Sequence, residues 1–440
     1  MATARRMAAA DLDSQCNGAG PCGSLVQAVD ERSRSDRINP DFLRAADAGC
    51  YSFISHGAIM NETVFRSAKH FGIAQHTGGR CMFLKNCWYV AALDHELIDG
   101  KLLGRTLLGE HLVLYRGESG RISALNDRCP HRGALLSKGR LEGEGVRCMY
   151  HGIKYDGSGK CVQIPGQEMI PPKLRVRSYP IAQRGHFIWI WMGDAARADP
   201  ALILDLPYLH DQNWKGIPAY LHYKANYLLI VDNLSDFSHL AFVHTKTLGG
   251  SEDYAYVSKP TVIERLERGF RVERWHWNSD PPPFHQKVIR DKSAKVDRRN
   301  IATMTVPGIF NMETLFAPAG QGKEAASAGA AKEYRNCQFM TPETERTTHF
   351  FWSYLNNFEG DDSTISRSLL GSLIEGFMED KEIIERQQTT LDEDPHFQML
   401  GILADAPLAH FRRVLGRFID EEQNAGTMER PEALSTTSAG

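Results

Sequence analysis

Two cysteine-histidine doublets, Cys129-x-His131 and Cys148-x-x-His151, lie sixteen residues apart and constrain this chain of 440 residues more than any other feature. Two thiolates and two imidazoles on short loops are a metal ligand set, so the chain between them must turn back and bring both loops to one place. The flanks suit that demand. Cys129 follows a strand-like run, Arg121 to Asn126, Cys148 follows Gly145-Val146-Arg147, and Gly133 and Gly152 lie in the turns beyond. Asp156-Gly157 and Gly159 mark a hairpin turn within Lys154 to Val162, and short strands and turns continue from about Asn86 to Gly193. A Cys2His2 zinc site is the alternative, but such sites open with a Cys-x2-4-Cys pair and not with mixed doublets. The ligand types and spacing point instead to a [2Fe-2S] cluster, with the thiolates on one iron and the imidazoles on the other.

A cluster of this Rieske type makes the chain an electron carrier at the least, and the remaining sequence asks what the electrons are for. The formal net charge is −3 and no polybasic run occurs, which leaves nucleic acid and anionic lipid without a partner field. No apolar stretch reaches the length of a membrane span and no signal-peptide core opens the chain, so a cytoplasmic location is expected. The nine cysteines are scattered and odd in number. That pattern argues against a disulfide framework, and Cys161 and Cys337 read as buried free thiols.

Residues 1–81 are rich in small residues, with one modest helical candidate near Pro40 to Ala46, and read as a poorly ordered extension. Gly18-x-Gly20-x-x-Gly23 has the letters of a dinucleotide fingerprint without the preceding strand and following helix that the motif requires. Met82-Phe83 begins an ordered-looking segment, so Met82 is a candidate initiator. The expected division is an extension at 1–81, a cluster domain at 82–200, a larger domain at 201–425 and a tail at 426–440. The larger domain mixes strands such as Arg268 to Trp277 and Thr347 to Tyr354 with helical segments, an α+β pattern. Ala317 to Lys332 reads as an exposed Gly/Ala-rich loop.

Within that domain, Asn226 to Gly250 holds Asn233, Asp236, His239 and His244. His239 and His244 are five apart, about 140° around a regular helix, so the helix has to end or bulge between them before both can face one ion. Asp236 and His239, three apart, are expected to share a face and to hydrogen-bond. A non-haem iron site that activates dioxygen needs two imidazoles and one carboxylate on one side of the metal. Ser368 to Gln388 has the pattern of an amphipathic helix with Leu370, Leu373, Phe377 and Ile384 on its apolar face, and Asp380 falls on that face. A buried carboxylate needs a cation, which makes Asp380 the candidate third ligand. Glu375, Glu379 and Glu382 point away and read as solvated. His222, His276, His285, His349, His396 and His410 lack ligand-like spacing and read as structural or exposed.

Taken together, Cys129-Pro130-His131-Arg132-Gly133, Cys148-x-x-His151-Gly152, Asn233-x-x-Asp236-x-x-His239-x4-His244 and Glu379-Asp380 resemble the oxygenase (α) component of Rieske non-haem iron oxygenases. The branch with vanillate and dicamba O-demethylase oxygenases is the most similar. The resemblance runs from about Met82 to Gln388. It implies an all-β Rieske domain followed by a larger α+β catalytic domain with a central antiparallel sheet. It also implies a [2Fe-2S] cluster on Cys129, His131, Cys148 and His151, and mononuclear Fe(II) on His239, His244 and Asp380. Asp236 would carry electrons between His239 and the cluster of a neighbour in a homotrimer, with Asn233 near the iron. The implied partners are O2, an aromatic substrate and a separate NAD(P)H-dependent reductase, with or without a ferredoxin. O-demethylation of a methoxylated aromatic acid is the expected reaction; ring dihydroxylation and N-demethylation by the same scaffold, and electron carriage without catalysis, are the alternatives.

Overall fold

The computed structural model describes residues 83–428, except 250–251, 253–261, 290, 292, 330, 360–362 and 395. The expectations for residues 1–81, for Met82 as an initiator and for nearly all of the tail lie outside the described residues.

The first part is all β. Strands β1 (Trp88–Leu93), β2 (Leu103–Leu107), β3 (Glu110–Arg116) and β4 (Ile122–Asn126) are followed by four short strands. These are β5 (Arg140–Glu142), β6 (Gly145–Arg147), β7 (Lys154–Asp156) and β8 (Cys161–Gln163); β9 (Ser178–Tyr179), β10 (Ile181–Arg184) and β11 (Phe187–Trp191) complete the region. They form three antiparallel sheets, in the orders β2-β3-β4-β9, β5-β6-β7-β8 and β1-β11-β10. The expected hairpin from 154 to 162 is the β7-β8 pair. Val113, Tyr115, Leu125, Leu136, Val146, Ile153 and Tyr155 fill the core between the first two sheets, and Cys129 and Cys148 are embedded in it.

The second part is built on one seven-stranded antiparallel sheet. Its strands are β12 (Lys215–Tyr223), β13 (Val262–Leu266), β14 (Gly269–Ser279), β15 (Val296–Thr305), β16 (Ile309–Pro318), β17 (Lys332–Thr344) and β18 (Thr347–Asn356), in the spatial order β12-β18-β17-β16-β15-β14-β13. Long strands joined by short connections explain the antiparallel order, as in the turn from Thr344 to Thr347. The helices are α1 (Tyr227–Ser235), α2 (Leu240–Val243), α3 (Pro283–Gln286), α4 (Gly322–Ala328), α5 (Thr364–Glu393) and α6 (Ala406–Met428).

Both faces of the sheet are covered. On one, Phe350 and Trp352 receive the edge of Phe377 from α5, at ring-centroid distances of 5.2 and 4.9 Å. On the other, Phe339, Phe351 and Leu355 pack with Trp88, Val90, Phe187 and Trp189 of β1 and β11. Phe350, Phe351 and Trp352 are therefore all buried, because the Rieske-side sheet covers the far face. The α5 helix buries Leu369, Leu373, Phe377, Asp380 and Ile384, one stripe at helical spacing.

The Ala317 to Lys332 segment is not a loop. Strand β16 runs to Pro318, α4 occupies the middle and β17 starts at Lys332. The run Lys323-Glu324-Ala325-Ala326 is made of strong helix formers. Its approach is pinned by the amides of Gly320 and Gly322, which donate to Asp297 Oδ2 at 2.8 and 3.1 Å. Among the described residues no helix is long and apolar enough to cross a membrane.

Candidate active site with two metal centres

The two cysteine loops are built alike. In each, the cysteine amide donates to the carbonyl five residues on (Cys129 to Ala134, Cys148 to Ile153, both 2.8 Å), and the amide four residues on returns to the cysteine carbonyl (Gly133 2.8 Å, Gly152 2.9 Å). That second amide belongs in each case to a glycine with left-handed backbone, φ 73° at Gly133 and 72° at Gly152. A Cβ on Gly152 would also strike Pro165. Cys129 and Cys148 are 2% and 1% exposed, whereas His131 and His151 stand exposed with ring centroids 4.5 Å apart.

Burial and the neighbouring Cys129 sulfur hold the Cys148 thiol above its ordinary pKa. Two adjacent buried sulfurs ionise together only when a metal supplies the countercharge, so this donor set suits a metal and not a pair of free thiolates. The Tyr155 hydroxyl lies 3.3 Å from Cys129 Sγ and is kept protonated by burial, so it donates to a ligating sulfur.

The second centre lies beneath the helices. Helix α1 ends at Ser235, and Asp236, its C-cap, is extended with φ −110° and ψ 117°. His239 and His244 then cap the two ends of the four-residue α2. The interruption that five-residue spacing demands is thus present. His239, His244 and Asp380 bring one donor atom each within 4.8 Å of one another. Asp380 Oδ1 is 3.0 Å from His244 Nε2, 3.6 Å from His239 Nε2 and 3.0 Å from Asn233 Nδ2, which donates to it.

The tautomers follow from the outer partners. His239 Nδ1 is 2.5 Å from the Asp236 carbonyl and His244 Nδ1 is 2.7 Å from Glu379 Oε2. A carbonyl and a carboxylate accept only, so both Nδ1 atoms carry the hydrogen and both Nε2 lone pairs face Asp380. The buried His244 Nε2 has no hydrogen-bond partner. Acceptors about 3 Å apart in a buried site call for positive charge between them. Burial opposes a proton on His244, but Asp380 and Glu379 outweigh it and raise its pKa. At His239 burial wins over Asp380 and the pKa is lowered. A divalent cation answers both imidazoles at once, and two imidazoles with one carboxylate are the facial set of non-haem iron.

Two expectations are corrected here. Asp236 does not reach His239 through its carboxylate, because the chain has left the helix; the carbonyl makes that contact, and the carboxylate accepts from Ser238 N and Oγ, both at 2.7 Å. Glu379 is not merely solvated: it accepts from His244 Nδ1 and from Thr247 Oγ1 at 2.7 Å. Periodicity could not reveal this, since Glu379 reaches sideways from α5 to the segment after α2. Glu379→Ala is expected to weaken mononuclear metal retention about 10- to 100-fold while leaving the cluster intact. Titration with a chelator, read against an unchanged visible spectrum, checks it.

The triad opens on a cavity of about 110 Å³, lined by α1, α2, α3, α5 and the sheet face beneath them. Phe237, Phe310, Met312 and Phe377 supply apolar wall, and His285 lines it too, although its sequence context gave no sign of this.

Comparison with known proteins decides what such a pair of centres belongs to. Residues 87–180 match the Rieske [2Fe-2S] domain and residues 223–421 the vanillate O-demethylase oxygenase C-terminal domain. Over 350 residues the chain is 44% identical to a toluene-4-sulfonate monooxygenase system iron-sulfur subunit of Comamonas testosteroni, covering 79% of this chain and 99% of that protein. It is 34% identical to a vanillate O-demethylase oxygenase subunit of a Pseudomonas species, covering 78% and 97%. A crystal structure of dicamba monooxygenase with non-heme iron and dicamba superposes with a TM-score of 0.66 at 31% identity, over 78% of this chain and 99% of that one. The chain is a Rieske non-haem iron oxygenase.

As the oxygenase component of that family it carries an all-β Rieske domain and an α+β catalytic domain with an antiparallel sheet, the fold class expected from sequence. The core around Cys129 and Cys148 in this oxygenase is drawn wholly from residues between Leu102 and Val176, so nothing from α1, α2 or α5 packs into it.

Proposed function

We infer that the protein is the terminal oxygenase of a multi-component system that hydroxylates a methyl group on an aromatic substrate, with O-demethylation of a methoxylated aromatic acid as the favoured form. The observation that supports this most is the His239, His244 and Asp380 set, with His244 and Asp380 buried, opening directly on a cavity. In this reading Cys129, His131, Cys148 and His151 hold the cluster, and His239, His244 and Asp380 hold Fe(II). Iron held by these three residues would supply dioxygen activation.

The chain's own groups do the rest. Asp236 and Glu379 fix both imidazoles with Nε2 toward the metal, and Asn233 orients Asp380 Oδ1. Phe237, Phe310 and Phe377 wall water away from the reacting carbon. Overall, one O2, two electrons and two protons yield one inserted oxygen atom and one water. A hydroxylated methoxy group separates into a phenol and formaldehyde, whereas a hydroxylated ring methyl persists as an alcohol. The second outcome is the alternative reading, and the 44% identity to a toluene-4-sulfonate system supports it.

No flavin or nicotinamide fingerprint in a supporting sequence context is found in the chain, so electrons come from a separate NAD(P)H-dependent reductase, directly or through a ferredoxin. The exposed His131 and His151, with a cluster core that excludes the iron-bearing helices, favour delivery to a neighbouring copy in a homotrimer. Asp236, half-buried beside His239, is the proposed relay. Asp236→Asn is expected to lower turnover about 10- to 100-fold with both metals retained; full turnover contradicts the relay. Buried free thiols at Cys87, Cys161 and Cys337 suit a reducing cytoplasm.

The test is anaerobic reconstitution with iron and a surrogate reductase, then a screen of methoxylated and methylated arenes for O2 uptake, formaldehyde and alcohol. Product in step with O2 is expected. Oxygen uptake that yields no organic product with any arene overturns the assignment.

A further inference from the structure

Two cavities lie in line along the helix-covered face of the sheet, and one aromatic side chain stands between them. The cross-strand register gives their order. Met312 of β16 pairs with Asn336 of β17, and two residues along, Asn300, Thr314 and Tyr334 form a row across β15, β16 and β17. The next row on that face is Arg298, Phe316 and Lys332, and beyond it Val296 pairs with Pro318. Residues two apart on a strand share a face at a spacing of about 7 Å, so these rows are successive parts of one floor. The catalytic cavity rests on the first two rows and on Arg298. A second cavity, of about 590 Å³, rests on Phe316, Lys332, Val296 and Pro318.

The second cavity is roomy because of what surrounds it. Ala294, Ala317, Ala325, Ala328 and Ala331 line it, two of them from α4, and a methyl group fills little space. Lys295, Gln321, Glu324 and Lys332 at its edge are exposed, so it opens to solvent. Phe316 is 4% exposed. Its ring stands edge-on to His285 of α3 at 5.6 Å and lies 5.4 Å from Tyr334, and both of those residues line the catalytic cavity. Phe358, edge-on at 5.9 Å, holds the ring from another side. Phe316 is thus a wall of the second cavity and the backing of the aromatic end of the first.

Volume decides what that partition does. A cavity of about 150 Å³ holds one benzene ring, whereas sites for larger ligands run to about 300–1,000 Å³. The catalytic cavity, at about 110 Å³, is therefore of single-ring size. The second has room for another ring, but among the described residues no histidine or cysteine lines it and Glu324 is its one acid, so it can house part of a substrate and not the chemistry.

We propose that Phe316 is a specificity-determining residue whose ring closes the catalytic cavity against the second one and restricts the oxygenase to single-ring arenes. Without that ring the two cavities join along the sheet, and a two-ring arene fits with its reacting end at the metal site and its second ring over Val296 and under α4. This rests on the reading of the first cavity as the hydroxylation site, but binding can be measured without turnover.

The experiment is anaerobic calorimetric titration of the iron-loaded holoenzyme with 4-methoxybenzoate and with 4'-methoxybiphenyl-4-carboxylate, which share a methoxy end and a charge and differ by one ring. The wild-type protein is expected to bind the one-ring acid at least about tenfold more tightly. In Phe316→Ala the ratio of two-ring to one-ring affinity is expected to rise about 10- to 100-fold, and in Phe316→Leu by an intermediate factor. Cluster absorbance and iron content confirm folding, and the Leu variant carries the test if the Ala variant loses either. Ala325→Leu, placed in the variant that shows the gain, refills the second cavity and is expected to reverse it. Equal wild-type binding of the two acids, a ratio that stays within about threefold of wild type in the folded variants, a gain that survives Ala325→Leu, or no binding of either acid to any form overturns the proposal. A ratio that shifts as expected with no product from any arene overturns the hydroxylation reading alone.

Discussion

Asp380→Ala is expected to leave purified protein with about two irons per chain in place of about three, an unchanged cluster spectrum and no detectable hydroxylation. The size of the effect follows from position. Asp380 is 4% exposed on the buried face of α5, and Oδ1 is the atom that His244 Nε2, His239 Nε2 and Asn233 Nδ2 all approach. It is the only anionic member of the three-donor set, so its loss leaves two neutral imidazoles to hold a dication in a buried site. The metal-free fold should tolerate the change, because a buried carboxylate without its cation is itself destabilising. Iron analysis with a thermal unfolding curve checks both halves: lost iron with a midpoint matching that of protein stripped of its mononuclear iron is the expected pair, and retained iron removes Asp380 from the ligand set.

Cys148→Ser produces the converse pattern. The visible absorbance of the cluster disappears, about one iron per chain remains, and turnover with reductase is lost. A serine hydroxyl cannot replace a thiolate on iron, and the remaining Cys129 sulfur faces an incomplete set in a core that is 1% exposed at position 148. This variant should also unfold at lower temperature. The cluster ties together two loops, each turning at its own glycine, Gly133 or Gly152, and metal binding to such loops is folding free energy. Opposite losses in the two variants identify two separate centres; a single joint loss contradicts that.

Much of this was legible in the residue order because ligands have rigid demands. The doublets at 129–131 and 148–151, the His239 and His244 spacing that calls for a broken helix, and Asp380 on the apolar stripe of α5 each state a local geometric problem with few solutions. What stayed hidden depends on the third dimension. Glu379 is one residue from Asp380 and belongs to the exposed side of α5 by periodicity, yet the segment after α2 arrives beside it. Asp236 obeys helix spacing only until the helix stops one residue earlier. Phe351 is buried because a sheet from the Rieske domain covers it, and His285 lines the cavity because α3 folds over β17. The α4 helix was missed for a different reason: its composition suggested a loop, while Asp297, a strand away, captures the amides that start it.

The most direct test of the account is joint quantification of iron and acid-labile sulfide, with electron paramagnetic resonance, on protein purified and loaded anaerobically. About three irons and two sulfides per chain are predicted, with the signal of a reduced cluster and a separate high-spin ferrous site made visible by nitric oxide. Two irons with two sulfides and no nitric oxide signal, or protein free of sulfide, would contradict it.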